Sequence, residues 1–180
     1  MTFKFIDNLI MNNVFSFDSG QLMMLNKVSF VMFPARAMSK FVQKVGEDFG
    51  DEYLYQHGYD AGMIVAKEFV DKLGWAQLSV AKKIGMIFKM FEVMGFGKLD
   101  IKVWDNKANR LLYRTTNHPV IEHAIKLFGD KEKTCTFYMG IEAAHWHNEM
   151  GMKNCKLIET QCQKKSRPFC EWSYNYFKKA

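Results

Sequence analysis

The residues best suited to chemistry lie in the last third of the sequence. Glu159 precedes Cys162 by three residues, and Cys170 follows eight residues later. A carboxylate and two thiols at this spacing suit a metal site that closes a loop, and Cys135 would supply a third thiol. Three thiolates and one carboxylate form a closed tetrahedral set, which suits zinc in a structural role.

The spacing alone leaves two other interpretations of these cysteines open. It lacks the paired CxxC pattern of a zinc ribbon, and cysteines often serve as small buried hydrophobic residues. A disulfide is the third interpretation, although nothing in the sequence points to secretion. The basic residues Lys164, Lys165 and Arg167 beside the site would offset excess thiolate charge, or they form a solvated turn.

Composition restricts the class of protein. The chain has 180 residues, of which 48% are hydrophobic, and this is enough for one domain with a sizeable core. Polar residues interrupt the apolar N-terminal stretch and no apolar run reaches about 18 residues, so we expect no signal peptide and a cytoplasmic protein without a membrane span. The net charge is +6, but the lysines are distributed along the chain, often beside acidic residues. No nucleic-acid-binding motif accompanies them. We therefore expect no direct nucleic acid binding.

The elements that must position the thiols are predicted from apolar periodicity. Residues 1–35 read as an entry segment with one or two strands, including Val28–Phe33. A helix follows, with its apolar face formed by Met38, Phe41, Val42, Val45 and Phe49. A second helix covers roughly 51–73. It carries Gly58 and Gly62 on one face, which indicates either close approach by another element or a ligand, or a local helix break.

A third helix, from about Leu78 to Met94, carries two apolar stripes, one of them made of methionines. Such a helix is either ordinary buried core or the wall of an apolar cavity. The alternating residues 99–104 and the returning strand 110–116 predict an antiparallel hairpin.

The last elements carry the thiols. A helix opens at His118-Pro119, and another runs from about Cys135 to Met150. A final hairpin covers 153–163 and 169–177. The chain is therefore predicted to be an α+β single domain, with an antiparallel sheet packed against several helices and a zinc-pinned β-hairpin at its C-terminal end.

One other polar cluster lies at the end of the helix that follows Cys135. His145 and Glu149 share a helical face, with His147 between them, and the three could bind a metal or perform acid–base chemistry. The alternative is an exposed polar helix end. No Ser-His-Asp or Cys-His arrangement and no GxGxxG turn accompany them, so we expect no enzyme activity.

Three pieces of the sequence resemble the 4-vinyl reductase domain family, which binds small molecules. They are Leu54-Tyr-Gln-His-Gly-Tyr-Asp-Ala-Gly62, Cys135-Thr-Phe-Tyr-Met-Gly140, and Glu159-Thr-Gln-Cys162 with Cys170. The resemblance spans about residues 20–177, which leaves 1–20 as a possible N-terminal extension. The family shares its fold with haem nitric-oxide-binding domains and with subunits of the TRAPP vesicle-tethering complex.

The resemblance implies a zinc site, because sensory members of the family bind zinc through Cys, Glu, Cys and Cys. These would be Cys135, Glu159, Cys162 and Cys170, with Cys155 outside the set as a core thiol. The His and Trp that help to hold phenol in the phenol-responsive members fall near Met86 and Arg114 here. Neither matches, so the resemblance favours a more apolar or an acidic ligand.

We therefore expect a stand-alone sensor domain that binds a small hydrophobic or aromatic molecule between helix 78–94 and the sheet. The predicted pocket residues are Tyr59, Ile84, Met86, Ile87, Met90, Phe91, Leu112, Phe137, Ile141 and Leu157. The resemblance also implies a homodimer and a regulatory protein partner. The alternatives are a protein-interaction subunit of the tethering type, without a ligand-sized cavity, or an accessory factor in tetrapyrrole metabolism.

Overall fold

The structure is a computed structural model. It describes residues 14–105, 110–151, 157–162 and 168–175. This part of the chain contains five α-helices and two antiparallel sheets, which confirms the α+β class and the antiparallel pairing. None of the helices in these ranges is long and apolar enough to cross a membrane.

The first sheet is a three-stranded meander. Its strands are β1 (Phe15–Asp18), β2 (Gln21–Met24) and β3 (Val28–Phe30), in that order. The turn after β2 places Leu25 and Asn26 at positive φ, at 51° and 55°. One or two strands were predicted over residues 1–35, so the third strand is a correction. The strands are only three or four residues long, which gives a weak periodicity signal.

Helix α1 (Ala35–Phe49) lies where the sequence predicts a helix, but its buried face differs from the predicted one. Phe41 and Phe49 are 61% and 62% exposed, whereas Ser39 and Gln43 are buried. The Ser39 hydroxyl lies 2.7 Å from the carbonyl oxygen of Val120, and the Gln43 amide donates to the carbonyl oxygen of Lys131. These bonds satisfy the two polar side chains, so burying them is tolerated.

Helix α2 (Asp51–Leu73) packs lengthwise against helix α5 (Thr134–Met150). A Cβ atom on Gly58 would overlap the carbonyl oxygen of Phe137, and one on Gly62 would lie 2.6 Å from that of Ile141. A Cβ on Gly140 of α5 would overlap the backbone of α2 in the same way. The glycine pair therefore marks the close approach of another element, and α2 is continuous through Gly58.

Helix α3 (Val80–Val93) and helix α4 (Pro119–Phe128) complete the helical layer. Among the described side chains of α3, Ile87 and Phe91 of one predicted stripe and Met90 of the methionine stripe are buried. The α4 helix begins with proline, as predicted, and the imidazole of His118 caps it by accepting the N–H of Ile121 at 3.4 Å. Burial lowers the pKa of His118 to about 3, which keeps this imidazole neutral.

The second sheet carries the C-terminal cysteines. Its strands are β4 (Lys98–Asp105), β5 (Arg110–Thr116), β6 (Leu157–Gln161) and β7 (Cys170–Asn175), in the order β4-β5-β7-β6. The hairpin of β6 and β7 therefore joins the predicted β4–β5 hairpin through β7. The pattern of Cys170, Trp172, Tyr174 and Tyr176 predicts that they alternate onto one face. The first three are buried, but Glu171 and Ser173 between them are buried too. Tyr176 lies outside the described residues.

Candidate metal centre and apolar cavity

Three elements bring the four predicted metal ligands together. Cys135 lies in the first turn of α5, Glu159 on β6, Cys162 directly after β6, and Cys170 at the start of β7. One ligand atom from each residue lies within 4.8 Å of all the others. The three thiols are buried and Glu159 is half-buried. The cluster is therefore close enough to hold a metal ion, in an enclosed position.

Strand pairing and the helix start produce this arrangement. Antiparallel pairing sets Cys170 opposite Thr115 of β5 and Glu159 opposite Trp172 of β7. A register shift between Glu159 and Gln161 ends the regular ladder just before Cys162. Cys135 approaches from the N-terminus of α5, where the helix dipole favours a negatively charged ligand such as thiolate.

The sulfur atoms lie at van der Waals separation. The Sγ of Cys135 lies 3.6 Å from that of Cys162 and 3.6 Å from that of Cys170, and the Cys162–Cys170 separation is 3.8 Å. A disulfide needs about 2.05 Å between the sulfurs, so these three cysteines form no disulfide with one another. Cys155 and the basic residues Lys164, Lys165 and Arg167 lie outside the described residues.

The surroundings of the Cys135 thiol favour its neutral form over the thiolate. Hydrogen bonds with the thiols of Cys162 and Cys170, followed by burial, raise the pKa of the Cys135 thiol well above its ordinary value. A cation bound among the sulfurs reverses this tendency, because it stabilises the thiolates. Metal binding at this site would therefore release protons and would weaken in acid.

Glu132 is a second carboxylate at the cluster that sequence reasoning missed. Its Oε2 accepts the backbone N–H of Cys135 at 3.2 Å and the hydroxyl of Thr134 at 2.6 Å. Its Oε1 accepts from the thiol of Cys162 at 3.9 Å. Glu132 thus caps the start of α5 and links it to the thiol cluster. The signal available in the sequence was an acidic residue immediately before a predicted helix start.

A cavity of about 640 Å³ lies farther along α5, where Phe137, Tyr138, Ile141 and His145 line it. Its walls come from the meander, from the ends of α1, α3 and α4, and from the packed faces of α2 and α5. The α2 and α5 residues that line it are Ala61, Gly62, Val65, Phe137, Tyr138, Ile141 and His145. Among the described lining residues, Tyr138 and His145 are the only ones with polar side-chain atoms. The volume falls within the range of small-molecule pockets.

The cavity is open at the meander side. Phe17, Val31, Met32 and Phe33 all line it, yet they are between 61% and 87% exposed. These four residues are called the apolar lip below. The lip surrounds an opening through which an apolar molecule could enter.

Two of the ten predicted pocket residues, Phe137 and Ile141, line this cavity. Four others are buried in the core: Ile87, Met90, Phe91 and Leu157. The remaining four are half-buried elsewhere: Tyr59, Ile84, Met86 and Leu112. The centre of α3 packs against α5, with Phe88 on Trp146 and Phe91 on His145, so only the end of α3 reaches the cavity. A ligand site at these eight residues stays a prediction.

His145 is not at an exposed helix end, which corrects that alternative. It is 2% exposed, and its ring lies 5.0 Å from that of Phe91 and 6.1 Å from that of Phe69. His147 is half-buried and hydrogen-bonds through Nδ1 to the hydroxyl of Tyr59. The side chain of Glu149 lies outside the described residues. His145 and His147 therefore face different neighbours.

A buried carboxyl group was also missed from the sequence. Glu142 on α5 is 1% exposed, and the hydroxyl of Tyr113 is a polar neighbour of its carboxyl group. Burial raises the pKa of Glu142 to about 8, and the neighbouring Tyr113 hydroxyl only partly offsets this. The group is therefore mostly protonated at neutral pH. Residues 141–146 are all buried, on every side of the helix, so periodicity gave no warning of its burial.

No known protein-family model matches this sequence, and no curated protein matches it. Solved structures do match. The phenol-responsive sensory domain of the transcription activator PoxR, crystallised with phenol, aligns with a TM-score of 0.68 and 13% identity, over 98% of this chain and 92% of that chain. The predicted resemblance is confirmed at the level of the fold.

Two further solved structures support the same conclusion. A trafficking protein particle complex subunit 3 from Naegleria fowleri, covalently bound to palmitic acid, aligns with a TM-score of 0.58 and 16% identity, over 80% of this chain and 95% of that chain. A vinyl-4-reductase family protein from Methanocaldococcus jannaschii aligns with a TM-score of 0.55 and 15% identity, over 83% and 85% of the two chains. At these identities the likeness shows the fold alone.

Proposed function

We propose that this chain forms a non-enzymatic domain that binds a small hydrophobic molecule and carries one structural zinc ion. The observation that carries the proposal is the cavity of about 640 Å³, whose walls are almost entirely apolar. A cavity of this size exposes apolar surface that a bound apolar molecule would remove from water. We also propose that the protein is cytoplasmic.

The separations between the sulfur atoms support zinc as the metal. Zinc bonds thiolate sulfur at about 2.3 Å, so two sulfurs of a tetrahedral site lie about 3.8 Å apart. The three observed separations, 3.6, 3.6 and 3.8 Å, are close to this value. Glu159 would supply the fourth ligand. Four protein ligands leave no open position for substrate, so the ion would pin the β6–β7 hairpin to the start of α5.

Helix α5 supports a sensing role, because it contacts both sites. Cys135 in its first turn belongs to the thiol cluster, and Phe137 and Ile141 line the cavity. A molecule in the cavity would therefore press on the helix that the metal holds in place. Such a ligand could shift a dimer interface or a regulatory partner's binding site only by its differential affinity for two states.

The comparisons support ligand binding without naming the ligand. One similar structure contains phenol and another contains covalently bound palmitic acid. The interaction-subunit alternative predicts no ligand-sized cavity, and the cavity therefore favours the binding function. The similarity to a vinyl-4-reductase family protein favours the alternative that the chain acts in tetrapyrrole metabolism. Against it, His145 and His147 face different neighbours.

Thermal denaturation with a panel of apolar compounds tests this function. Phenols, aliphatic alcohols and fatty acids of increasing length would be added to metal-loaded protein without lipid vesicles. A compound that binds in the cavity should stabilise the fold by about 2.7 kcal/mol when its free concentration is 100 times its dissociation constant. If no class of compound raises the melting temperature, the proposal is wrong.

A further inference from the structure

The apolar lip is a surface feature that the ligand cavity does not by itself require. Val31 is 87% exposed, Met32 is 71% exposed, and Phe17 and Phe33 are each 61% exposed. Three of the four are consecutive and lie between β3 and α1. Single exposed apolar residues are common on protein surfaces, but a contiguous group of them usually marks an interaction site.

Basic residues occupy the same stretch of chain as the lip. Residues 19–46 contain Lys27, Arg36, Lys40 and Lys44 and no acidic residue, and all four side chains are exposed. Lys44 pairs with Asp48 at 2.6 Å. Among the described residues, Lys27, Arg36 and Lys40 form no ion pair. Asp18 directly follows Phe17, but the three consecutive lip residues 31–33 lie between Lys27 and Arg36, whose charges have no acidic partner among the described residues.

We propose that the apolar lip docks on the surface of an anionic lipid bilayer, from which the cavity takes its apolar ligand. Exposed Phe, Met and Val side chains would enter the headgroup boundary, and the flanking basic residues would pair with anionic headgroups. The docking stands on the exposed residues and the charge alone. Only the delivery of the ligand rests on the proposed function.

The charge favours a lipid surface over a second copy of the chain. In a two-fold symmetric dimer built on the lip, the same patch faces itself. The basic residues around the lip of one copy would then face those of the other copy, and like charges would repel. A copy seated on the lip would also cover the opening of the cavity. An anionic bilayer would cover the same apolar residues, neutralise the basic ones and leave an apolar route into the cavity.

Co-sedimentation of the full chain with vesicles tests the docking. The vesicles would be phosphatidylcholine alone or phosphatidylcholine with phosphatidylserine at roughly 7:3. We expect binding to the anionic vesicles that weakens as salt is raised. The double variant R36Q/K40Q should bind on the order of 30-fold more weakly, because each basic residue near an anionic surface contributes about fivefold in affinity. The control K67Q/K126Q has the same net charge and should bind as the native chain does.

A second pair of variants tests the apolar part. M32S/F33S should lose vesicle binding, whereas Phe49→Ser should retain it. Phe49 is 62% exposed, almost the same as Phe33, but it lies at the far end of α1. That places it about 22 Å away along the helix. The native chain and M32S/F33S should have the same oligomeric state in solution, as measured by light scattering.

Three results would overturn the docking proposal. They are no sedimentation of the native chain with anionic vesicles, equal sedimentation of R36Q/K40Q and K67Q/K126Q, or a change from dimer to monomer in M32S/F33S as the sole effect. Apolar compounds that stabilise the chain without vesicle binding would sink the docking and leave the proposed function standing. Vesicle binding without stabilisation by any apolar compound would support the docking and contradict the proposed function.

Discussion

The carbonyl oxygen of Phe137 occupies the space that a Cβ atom on Gly58 would need. This contact joins the backbones of α2 and α5 without an intervening side chain, and Gly62 and Gly140 extend it in both directions. The position of α5 is fixed in this way. Because α5 carries Cys135 at one end and part of the cavity wall beyond it, the glycine contact underlies both proposed sites.

Gly58→Ala tests this contact. Alanine favours a helix over glycine by about 1 kcal/mol, but here the added methyl would push α5 away. We expect a net loss of about 2 kcal/mol in the free energy of unfolding, measured in urea. Gly85→Ala on α3 is the matched control, since nothing lies within 4 Å of its Cβ position. Stabilisation of both variants would contradict the close packing of α2 and α5.

Metal removal should loosen the C-terminal hairpin before the helices. A chelator would leave three buried thiols that must take up protons, and the tie between α5 and β6–β7 would be lost. We expect amide hydrogen exchange to rise first in 157–162 and 170–175, while α2 remains protected. Cys155→Ser is the control, because Cys155 is predicted to lie outside the ligand set. Uniform loss of protection along the whole chain would contradict a local structural role.

Glu142→Gln should change how stability depends on pH. The folded-state pKa of Glu142 is about 8 and its ordinary value is 4.5, so the proton is held more tightly in the folded state. The resulting stability is complete below pH 4.5 and is lost as pH rises towards 8. The neutral amide removes this dependence. Between pH 6 and pH 8 the variant should gain about 2 kcal/mol relative to the native chain. Parallel stability curves from urea denaturation would show that Glu142 is not buried as an acid.

Ala61→Phe and Met86→Trp distinguish two places for the ligand. Ala61 lines the cavity, so the larger ring should fill part of it and weaken binding of apolar compounds by at least about tenfold. Met86 belongs to the pocket predicted between helix 78–94 and the sheet, and it does not line the cavity, so Met86→Trp should bind normally. Titration of each variant with the best compound measures this. The opposite result would favour the pocket that the sequence predicts.

The parts that sequence reasoning predicted depend on local spacing. Gly58 and Gly62 share a helical face whatever the rest of the fold does, and Glu159, Cys162 and Cys170 lie on one hairpin. The errors have a different cause. Ser39 and Gln43 are buried because their partners, the carbonyl oxygens of Val120 and Lys131, come from 81 and 88 residues away. Polar residues with such distant partners look solvent-exposed in a periodicity pattern.

The sequence pattern did not indicate this cavity for a related reason. Its opening is formed by short strands and an irregular segment around Val31, and neither has a strong period. The methionines of α3 gave the stronger signal, but only Met94 at the end of this helix reaches the cavity. Glu142 and Glu132 were missed because their burial is set by tertiary packing against Tyr113 and the thiol cluster.

The most direct test of the account is native mass spectrometry of the freshly purified chain beside Cys162→Ser. We predict one zinc ion per native chain and an additional non-metal mass from an apolar molecule. The variant should lose the zinc, because two thiolates and a carboxylate no longer close the site. A native chain that carries neither metal nor ligand, after purification without chelators, would contradict both halves of the proposed function.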